Sequence, residues 1–137
     1  MNKQVEKTLS IMKPDAVERD LESNIKGIFL KNNLNIIHSK KIKITKEEAE
    51  QFYKVHQSKP FYNDLCAYLS SGPIIVMILE GENAVAKNRE LMGTTDPKKA
   101  SKETIRNLYG ISIDKNSIHG SDSNENAKNE INFFFKD

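Results

Sequence analysis

The stretch Ile74-Ile75-Val76-Met77-Ile78-Leu79 is apolar at every position and lies between the turn residues Gly72-Pro73 and Gly81. A short apolar run bounded by turn residues is typical of a strand that is buried on both faces. Such a strand needs other elements to cover it. We therefore expect a central sheet with helices on at least one side.

The segments before and after this run predict the other strands of that sheet. Apolar and polar residues alternate before Pro14, which predicts a strand over Thr8–Lys13. Apolar residues at even positions predict a longer strand, polar in its middle, over Leu34–Ile44. A further strand is expected around His119, and it is followed by the start of a helix.

Helical spacing of apolar residues, together with start and stop signals, predicts the helices. Thr45 and Glu48 have the spacing of a capping box, and Gly93 is expected to end another helix with a left-handed cap. Further helical segments are expected at Ile25–Phe29, Phe61–Leu69, Asn83–Met92, Thr104–Arg106 and Ala127–Phe134. The order of elements predicts the α/β class (α+β), as a ferredoxin-like βαββαβ fold whose four-stranded antiparallel sheet is covered by helices.

Three expectations concern individual side chains. Asp15 is expected to cap a short helical turn. His56 is expected to lie on the apolar stripe of the helix that begins at the capping box. Ile111 and Ile113 are expected to anchor the irregular segment 108–115 to the core.

Length and composition limit the kinds of protein this can be. The 137 residues are expected to form a single domain, residues 1–137. The net charge of +2 is too small to indicate a nucleic-acid or membrane surface. A lone cysteine, Cys66, excludes an intramolecular disulfide and is typical of a reducing cytosol. Without a signal-peptide pattern or a membrane-length apolar run, we expect a cytoplasmic protein with no membrane contact and no specific nucleic-acid partner.

The segment Asn116-Ser117-Ile118-His119-Gly120-Ser121-Asp122-Ser123 places one imidazole before a glycine turn and a helix start. Helix starts stabilise negative charge. The chain has no G-x-S-x-G elbow, no metal-ligand spacing of histidines, and no Walker or kinase-type glycine loop. The catalytic interpretation that remains is an imidazole that attacks phosphorus, for which no activating base is needed. The residues alone leave this open against a packed or capping histidine.

Attack on a γ-phosphoryl group needs cations around its oxygens. Lys13, Arg89, Arg106 and a nucleotide-bound Mg²⁺ are candidates. Lys13 ends the first strand, where its ammonium either snorkels into solvent or emerges into a cleft. Arg89 lies on the apolar face of its helix, where an anion is its natural partner. Phe61 begins its helix, and it either packs in the core or forms an exposed stacking platform.

The segment Asn116–Ser123 resembles the active-site signature of nucleoside diphosphate kinases, which is highly specific. Motifs similar to those of the family follow in family order over essentially the whole chain. They are Lys13-Pro14-Asp15, Phe52-Tyr53, Lys59-Pro60-Phe61, Ser71-Gly72-Pro73, Glu80-Gly81-Glu82-Asn83-Ala84-Val85, Arg89-x-x-x-Gly93-x-Thr95-Asp96-Pro97, Thr104-Ile105-Arg106, and Glu130-Ile131 with Phe134.

The resemblance implies a ping-pong reaction that maintains nucleoside and deoxynucleoside triphosphate pools. The γ-phosphate of a nucleoside triphosphate, mainly ATP, passes to His119 and then to a nucleoside diphosphate. In the family the nucleobase stacks on the aromatic residue that matches Phe61, without hydrogen bonds to the base edge. The residues that match Lys13 and Asn116 hold the ribose hydroxyls. Mg²⁺ arrives on the nucleotide phosphates, so no protein metal site is expected.

The resemblance also implies roles for the remaining site residues. Those that match Arg89, Thr95 and Arg106 clamp the phosphates. Those that match Tyr53, Ser121 and Glu130 shape the site around the histidine, the last two being bonded to each other. Family enzymes are hexamers or tetramers, so a homo-oligomer is expected.

The chain departs from the family's pattern beside the phosphate loop. Leu108 stands where an acid is common, and Lys102-Glu103 replaces a common Pro-Gly or similar small pair. These departures concern loop order and affinity more than the reaction itself.

Two other classes of protein remain as alternatives. An RNA-binding RRM module shares the βαββαβ plan but needs aromatic residues on its central strands, and Pro73–Leu79 has none. A small-molecule regulatory domain without catalysis would make the histidine signature an accident.

Overall fold

The computed structural model describes residues 5–54, 57–112 and 115–135. Four antiparallel strands form one sheet in the order β2-β3-β1-β4. The elements in chain order are β1 (Val5–Met12), α1 (Pro14–Glu18), α2 (Glu22–Lys31), β2 (Asn35–Ile42), α3 (Lys46–Phe52), α4 (Tyr62–Leu69), β3 (Ile74–Glu82), α5 (Ala84–Met92), α6 (Ile105–Tyr109), β4 (Ile118–Gly120) and α7 (Asn124–Phe134). This confirms the ferredoxin-like βαββαβ fold with its antiparallel sheet.

The apolar run in β3 is buried on both faces, as its composition predicts. Ile75, Met77 and Leu79 belong to one core cluster, which also contains Phe29 of α2 and residues of α5 and α6. Ile74 and Val76 belong to the second cluster, with residues of α3, α4 and α7. Helices therefore cover both sides of the sheet, which goes beyond the minimum expected from the sequence.

Coverage on both sides rules out the RRM alternative, because that module reads RNA on an exposed sheet face. The two central strands, β1 and β3, are buried over most of their length. The strand β2 differs, since its middle is polar and exposed and its pairing with β3 is irregular between Ile36 and His38. Within the described residues, no helix is both long and apolar enough to cross a membrane.

Several local predictions are confirmed. Thr45 and Glu48 form the capping box at the start of α3, with both of its hydrogen bonds present. Gly93 ends α5 as predicted, with a φ of 85° that favours glycine, but its ψ of 177° differs from that of the expected left-handed cap. Strand β1 begins at Val5, earlier than the predicted Thr8, and its first three residues are exposed or half-buried, so burial does not impose a pattern on their side chains.

Two expectations about side chains are wrong. Asp15 caps no helix: Lys13 is the N-cap of α1, without a side-chain cap, and the Asp15 carboxylate bonds to more distant residues instead. Ile111 is 54% exposed. Its N–H donates to the Lys115 carbonyl at 2.8 Å, and its side chain lies in solvent. The expectations for His56 and Ile113 lie outside the described residues.

Candidate active site

A cavity of about 660 Å³ opens at the edge of the sheet, between β4, α7 and the segments around α3, α4 and α5. All of the predicted site residues except Ser121 line it, although they come from distant parts of the chain. Those that line it are Lys13, Tyr53, Phe61, Arg89, Thr95, Arg106, Asn116, His119 and Glu130. Ser121 is buried behind the wall of the cavity and bonds to Glu130.

His119 lines this cavity and is held by a hydrogen bond to a carboxylate of α7. Its Nε2 lies 3.1 Å from Oε1 of Glu130, and the Ser121 hydroxyl donates to the same oxygen at 2.7 Å. Because an ionised carboxylate only accepts hydrogen bonds, Nε2 carries the proton. In a neutral imidazole the other nitrogen, Nδ1, then has the free lone pair.

Two aromatic rings at the C-terminal end of α3 contact the imidazole. The ring of Phe52 meets the imidazole edge-on at a centroid distance of 5.3 Å, and Tyr53 does so at 6.1 Å. Burial, together with the nearby Glu130 carboxylate, raises the pKa of the Tyr53 hydroxyl. Phe52 was not among the predicted site residues. It belongs to the family motif Phe52-Tyr53, which was the signal that could have identified it.

The two arginines differ in their environment. Arg106 of α6 is anchored, since its guanidinium donates to the carbonyl of Gly93 at 3.0 Å and to that of Ile118 at 2.8 Å. Burial, and then the neighbouring charge of Arg89, lowers the pKa of Arg106 to about 10, so it remains a cation at neutral pH. Arg89 is exposed on the last turn of α5. Two cations on one side of a cavity make it suitable for a polyanion.

Lys13 is 5% exposed, so the interpretation as a solvated lysine is wrong. Its ammonium donates to Oδ1 of Asn116 at 2.9 Å. The amide of Asn116 donates in turn to the carbonyl of Thr95 at 3.1 Å, which ties this pair to the loop after α5. A buried ammonium and a carboxamide side by side can bind hydroxyl and phosphate oxygens.

Phe61 stands at the rim of the cavity with 46% of its surface exposed, so the core interpretation is wrong for this residue. It is the N-cap of α4 and does not bury its ring in either cluster. The ammonium of Lys59 lies 5.8 Å from the centroid of its ring. An exposed, flat aromatic ring at the mouth of a polar cavity is suited to stack on another ring.

One acidic residue of the cavity was not predicted as a site residue. Asp122 accepts a hydrogen bond from the Asn126 amide at 2.6 Å. That bond, and then the nearby Arg89, lowers the pKa of the Asp122 carboxyl. The sequence predicted the start of a helix at Ser121-Asp122-Ser123, and Ser123 is the cap of α7. No group of three or more potential metal-binding side chains occurs in the part of the chain that the structure describes.

Comparison with known proteins identifies the family. The family model described as nucleoside diphosphate kinase matches residues 6–137. The nucleoside diphosphate kinase of Campylobacter hominis is 59% identical over 131 residues, which cover 96% of this chain and 96% of the relative. That of Nitratiruptor sp. is 56% identical with the same coverage.

Solved structures agree in fold as well as in sequence. The nucleoside diphosphate kinase of Aquifex aeolicus superposes with a TM-score of 0.95 at 40% identity, covering 97% of this chain and 96% of that chain. That of Halobacterium salinarum, solved in complex with CDP, has a TM-score of 0.93 at 37% identity, covering 98% of this chain and 90% of that chain. The chain therefore belongs to the nucleoside diphosphate kinase family.

Proposed function

We propose that this enzyme transfers the γ-phosphoryl group of a nucleoside triphosphate, mainly ATP, to a nucleoside diphosphate through a phosphohistidine at His119. The observation that carries the proposal is the pairing of Nε2 with Glu130 inside a cavity lined by Lys13, Arg89 and Arg106. Membership of the family makes the chain a phosphotransferase that acts on nucleotides. The alternative of a regulatory domain without catalysis is therefore wrong.

In the first half-reaction the Nδ1 lone pair of His119 attacks the γ-phosphorus. The new N–P bond forms as the bond to the β–γ bridging oxygen breaks, and the nucleoside diphosphate leaves with that oxygen. The ring becomes positively charged during this step, and the Glu130 carboxylate at Nε2–H stabilises it. In the second half-reaction a terminal oxygen of another nucleoside diphosphate takes the phosphoryl group, which restores the neutral imidazole.

The cations of the cavity stabilise the charge that spreads over the phosphoryl oxygens in the transition state. Arg106 is held rigidly by two carbonyls and needs no reorganisation when the phosphate binds. Arg89 and Thr95 complete the phosphate contacts, and Lys13 reaches both the ribose and the transferred group. Asn116, paired with Lys13, holds the ribose hydroxyls.

Phe61 binds the nucleobase by stacking. A stacking surface contacts the π-face that all bases share and does not contact their hydrogen-bonding edges. The enzyme is therefore expected to accept purine and pyrimidine nucleotides. The exposure of Phe61 at the rim supports this role.

Mg²⁺ is proposed to enter with the nucleotide phosphates. The side chains of the cavity fit an ion that the nucleotide carries. Glu130 is already bonded to Ser121 and His119, so the protein does not offer it as a metal ligand. Asp122 is the cavity carboxylate whose lowered pKa keeps it charged, and it would accept hydrogen bonds from the ion's hydration shell. When bound, the ion neutralises part of the phosphate charge.

The experiment uses γ-labelled ATP followed by a chase with unlabelled GDP. We expect label on the protein that is lost in acid, survives base and moves to GDP. His119→Ala should not become labelled. Label and turnover in that variant would overturn the proposal. Asn129→Ala, a change at another position of the cavity wall, should still be labelled.

We also propose a single domain over residues 1–137, a homo-oligomer, either tetramer or hexamer, and a cytoplasmic location. Several large apolar side chains are exposed in the single chain and would be covered in an assembly, namely Val5, Leu30, Ile37, Leu108 and Ile111. Cys66 is free and buried, as suits a reducing compartment. Analytical ultracentrifugation should give four or six times the chain mass of 15.6 kDa, and a monomer mass would contradict the assembly.

A further inference from the structure

Asp15 is a buried carboxylate that lies outside the cavity and has no part in the function proposed above. It is 6% exposed. Its Oδ2 accepts from the Ser117 hydroxyl at 2.7 Å and from Arg19 at 3.2 Å, while Oδ1 accepts from the Tyr68 hydroxyl. A carboxylate that is this well bonded holds its partners firmly, since charge-assisted hydrogen bonds are the strong ones.

Among the partners of Asp15, Ser117 has an unusual backbone conformation. Its φ is 75°, although it is not glycine. The N–H of Ile118 donates to the carbonyl of Asn116 at 2.9 Å, across Ser117. A hydrogen bond that spans one residue of positive φ defines a γ-turn of the rare and strained kind. Such a conformation persists only where the surroundings hold it.

This turn lies between two residues of the proposed active site, Asn116 and His119. Three hydrogen bonds join it to the start of α1. The N–H of Lys13 donates to the Ser117 carbonyl at 2.9 Å, and the Lys13 ammonium donates to Asn116 at 2.9 Å. The third is the bond of Asp15 to the Ser117 hydroxyl. Arg19 strengthens this connection, because its guanidinium donates both to the Ser117 hydroxyl and to the carbonyl of Tyr109.

We propose that Asp15, through the hydroxyl of Ser117, is a positioning residue that keeps the strained turn in place and so fixes Asn116, Lys13 and His119 for phosphoryl transfer. Without this bond the turn relaxes towards negative φ, which rotates the Asn116 carboxamide away from Lys13 and shifts the start of β4. The inference rests on the proposed roles of those three residues.

Ser117→Ala tests the hydroxyl with the least disturbance, because it removes only that group, together with its contacts to Asp15, Arg19 and Tyr109. We expect single-turnover phosphorylation by saturating ATP to slow by roughly 10- to 100-fold, the effect of a small misplacement of reacting groups. Ser117→Gly removes the strain as well as the bond and should be similarly slow. Asp15→Asn keeps an acceptor for Ser117 and should retain more of the rate than Asp15→Ala. Thr45→Ala, a destabilising change at a distant helix cap, should keep the wild-type rate.

A second measurement detects positioning and not stability. Wild-type enzyme should be phosphorylated by 2′,3′-dideoxy-ATP at least about tenfold more slowly than by ATP, because Lys13 and Asn116 lose their ribose partners. In Ser117→Ala the ratio of the rate with ATP to the rate with 2′,3′-dideoxy-ATP should shrink by at least about threefold, since Lys13 and Asn116 are already misplaced.

The outcomes separate this inference from the proposed function. A wild-type enzyme without label at His119 would overturn both. A labelled wild type with the expected preference for ATP, beside a Ser117→Ala variant of unchanged rate and ratio, would overturn the positioning role alone. A Ser117→Gly variant faster than wild type would also overturn it, because relief of strain would then outweigh loss of the bond.

Discussion

Replacing Glu130 by glutamine separates the geometry of this carboxylate from its charge. The Ser121 hydroxyl at 2.7 Å and Nε2 of His119 at 3.1 Å reach the same oxygen, Oε1. In Glu130→Gln the amide oxygen can take that position, so both hydrogen bonds survive while the negative charge is lost. Glu130→Ala removes the acceptor altogether. Comparison of the two variants therefore shows whether the carboxylate acts by orienting His119 or through its charge.

The expected magnitudes follow from these two bonds. A hydrogen bond to a charged partner contributes about 1.5–3 kcal/mol and a neutral one about 0.5–1.5 kcal/mol. For Glu130→Gln the difference at His119 is about 1–1.5 kcal/mol, which slows phosphorylation about tenfold. For Glu130→Ala the imidazole loses both its partner and its orientation, so we expect a loss of about 10²- to 10³-fold. The buried hydroxyl of Ser121 also loses the acceptor for its proton, although its oxygen still accepts from the Leu9 N–H at 3.3 Å, and the free energy of unfolding falls by about 1–3 kcal/mol.

The assay is rapid-mixing measurement of single-turnover phosphorylation with γ-labelled ATP at saturation, beside thermal unfolding of each variant. Glu125→Gln is the matched control, because Glu125 is exposed on the first turn of the same helix, α7. It should match the wild type in both measurements. Equal rates for the glutamine and alanine variants would refute a separate contribution of geometry. A glutamine variant as fast as the wild type would refute the contribution of charge.

Three further predictions concern binding and stability. Phe61→Ala should weaken the binding of ADP, GDP and CDP alike by about 1–3 kcal/mol in isothermal titration calorimetry, and a loss confined to one base would contradict the stacking role. Glu103 has a φ of 72°, so Glu103→Gly should raise the free energy of unfolding by about 0.5–1 kcal/mol, the relief of strain less the entropy cost of glycine. Thermal unfolding measures this against Lys102→Gly, which should bring no gain. Thr45→Ala should lower the free energy of unfolding by about 1 kcal/mol through loss of the capping box, and a variant as stable as the wild type would show that the cap contributes nothing.

Local pattern was enough to predict most of the architecture. The uninterrupted apolar run of β3 required cover on both of its faces, and the capping box at Thr45 marked the start of α3. The expectation for Ile111 failed because an isolated apolar residue in an irregular segment carries no periodicity. Whether such a side chain turns inward depends on the contacts that its backbone makes, here the hydrogen bond from the Ile111 N–H to the Lys115 carbonyl.

The features of the candidate site also fall into those that the sequence determined and those that only the tertiary structure decided. The sequence by itself determined the signature around His119 and the identity of the cations, because these are properties of residue types and of short spacings. Only the tertiary structure decided that Lys13 is buried against Asn116, 103 residues away, and that Phe52 lies against the imidazole. It also decided that Asp15, which was expected to cap a helix, instead bonds to Ser117, 102 residues away. Contacts of this kind depend on how β1 and β4 pair at the edge of the sheet. The sequence of one strand does not indicate which distant strand will pair with it.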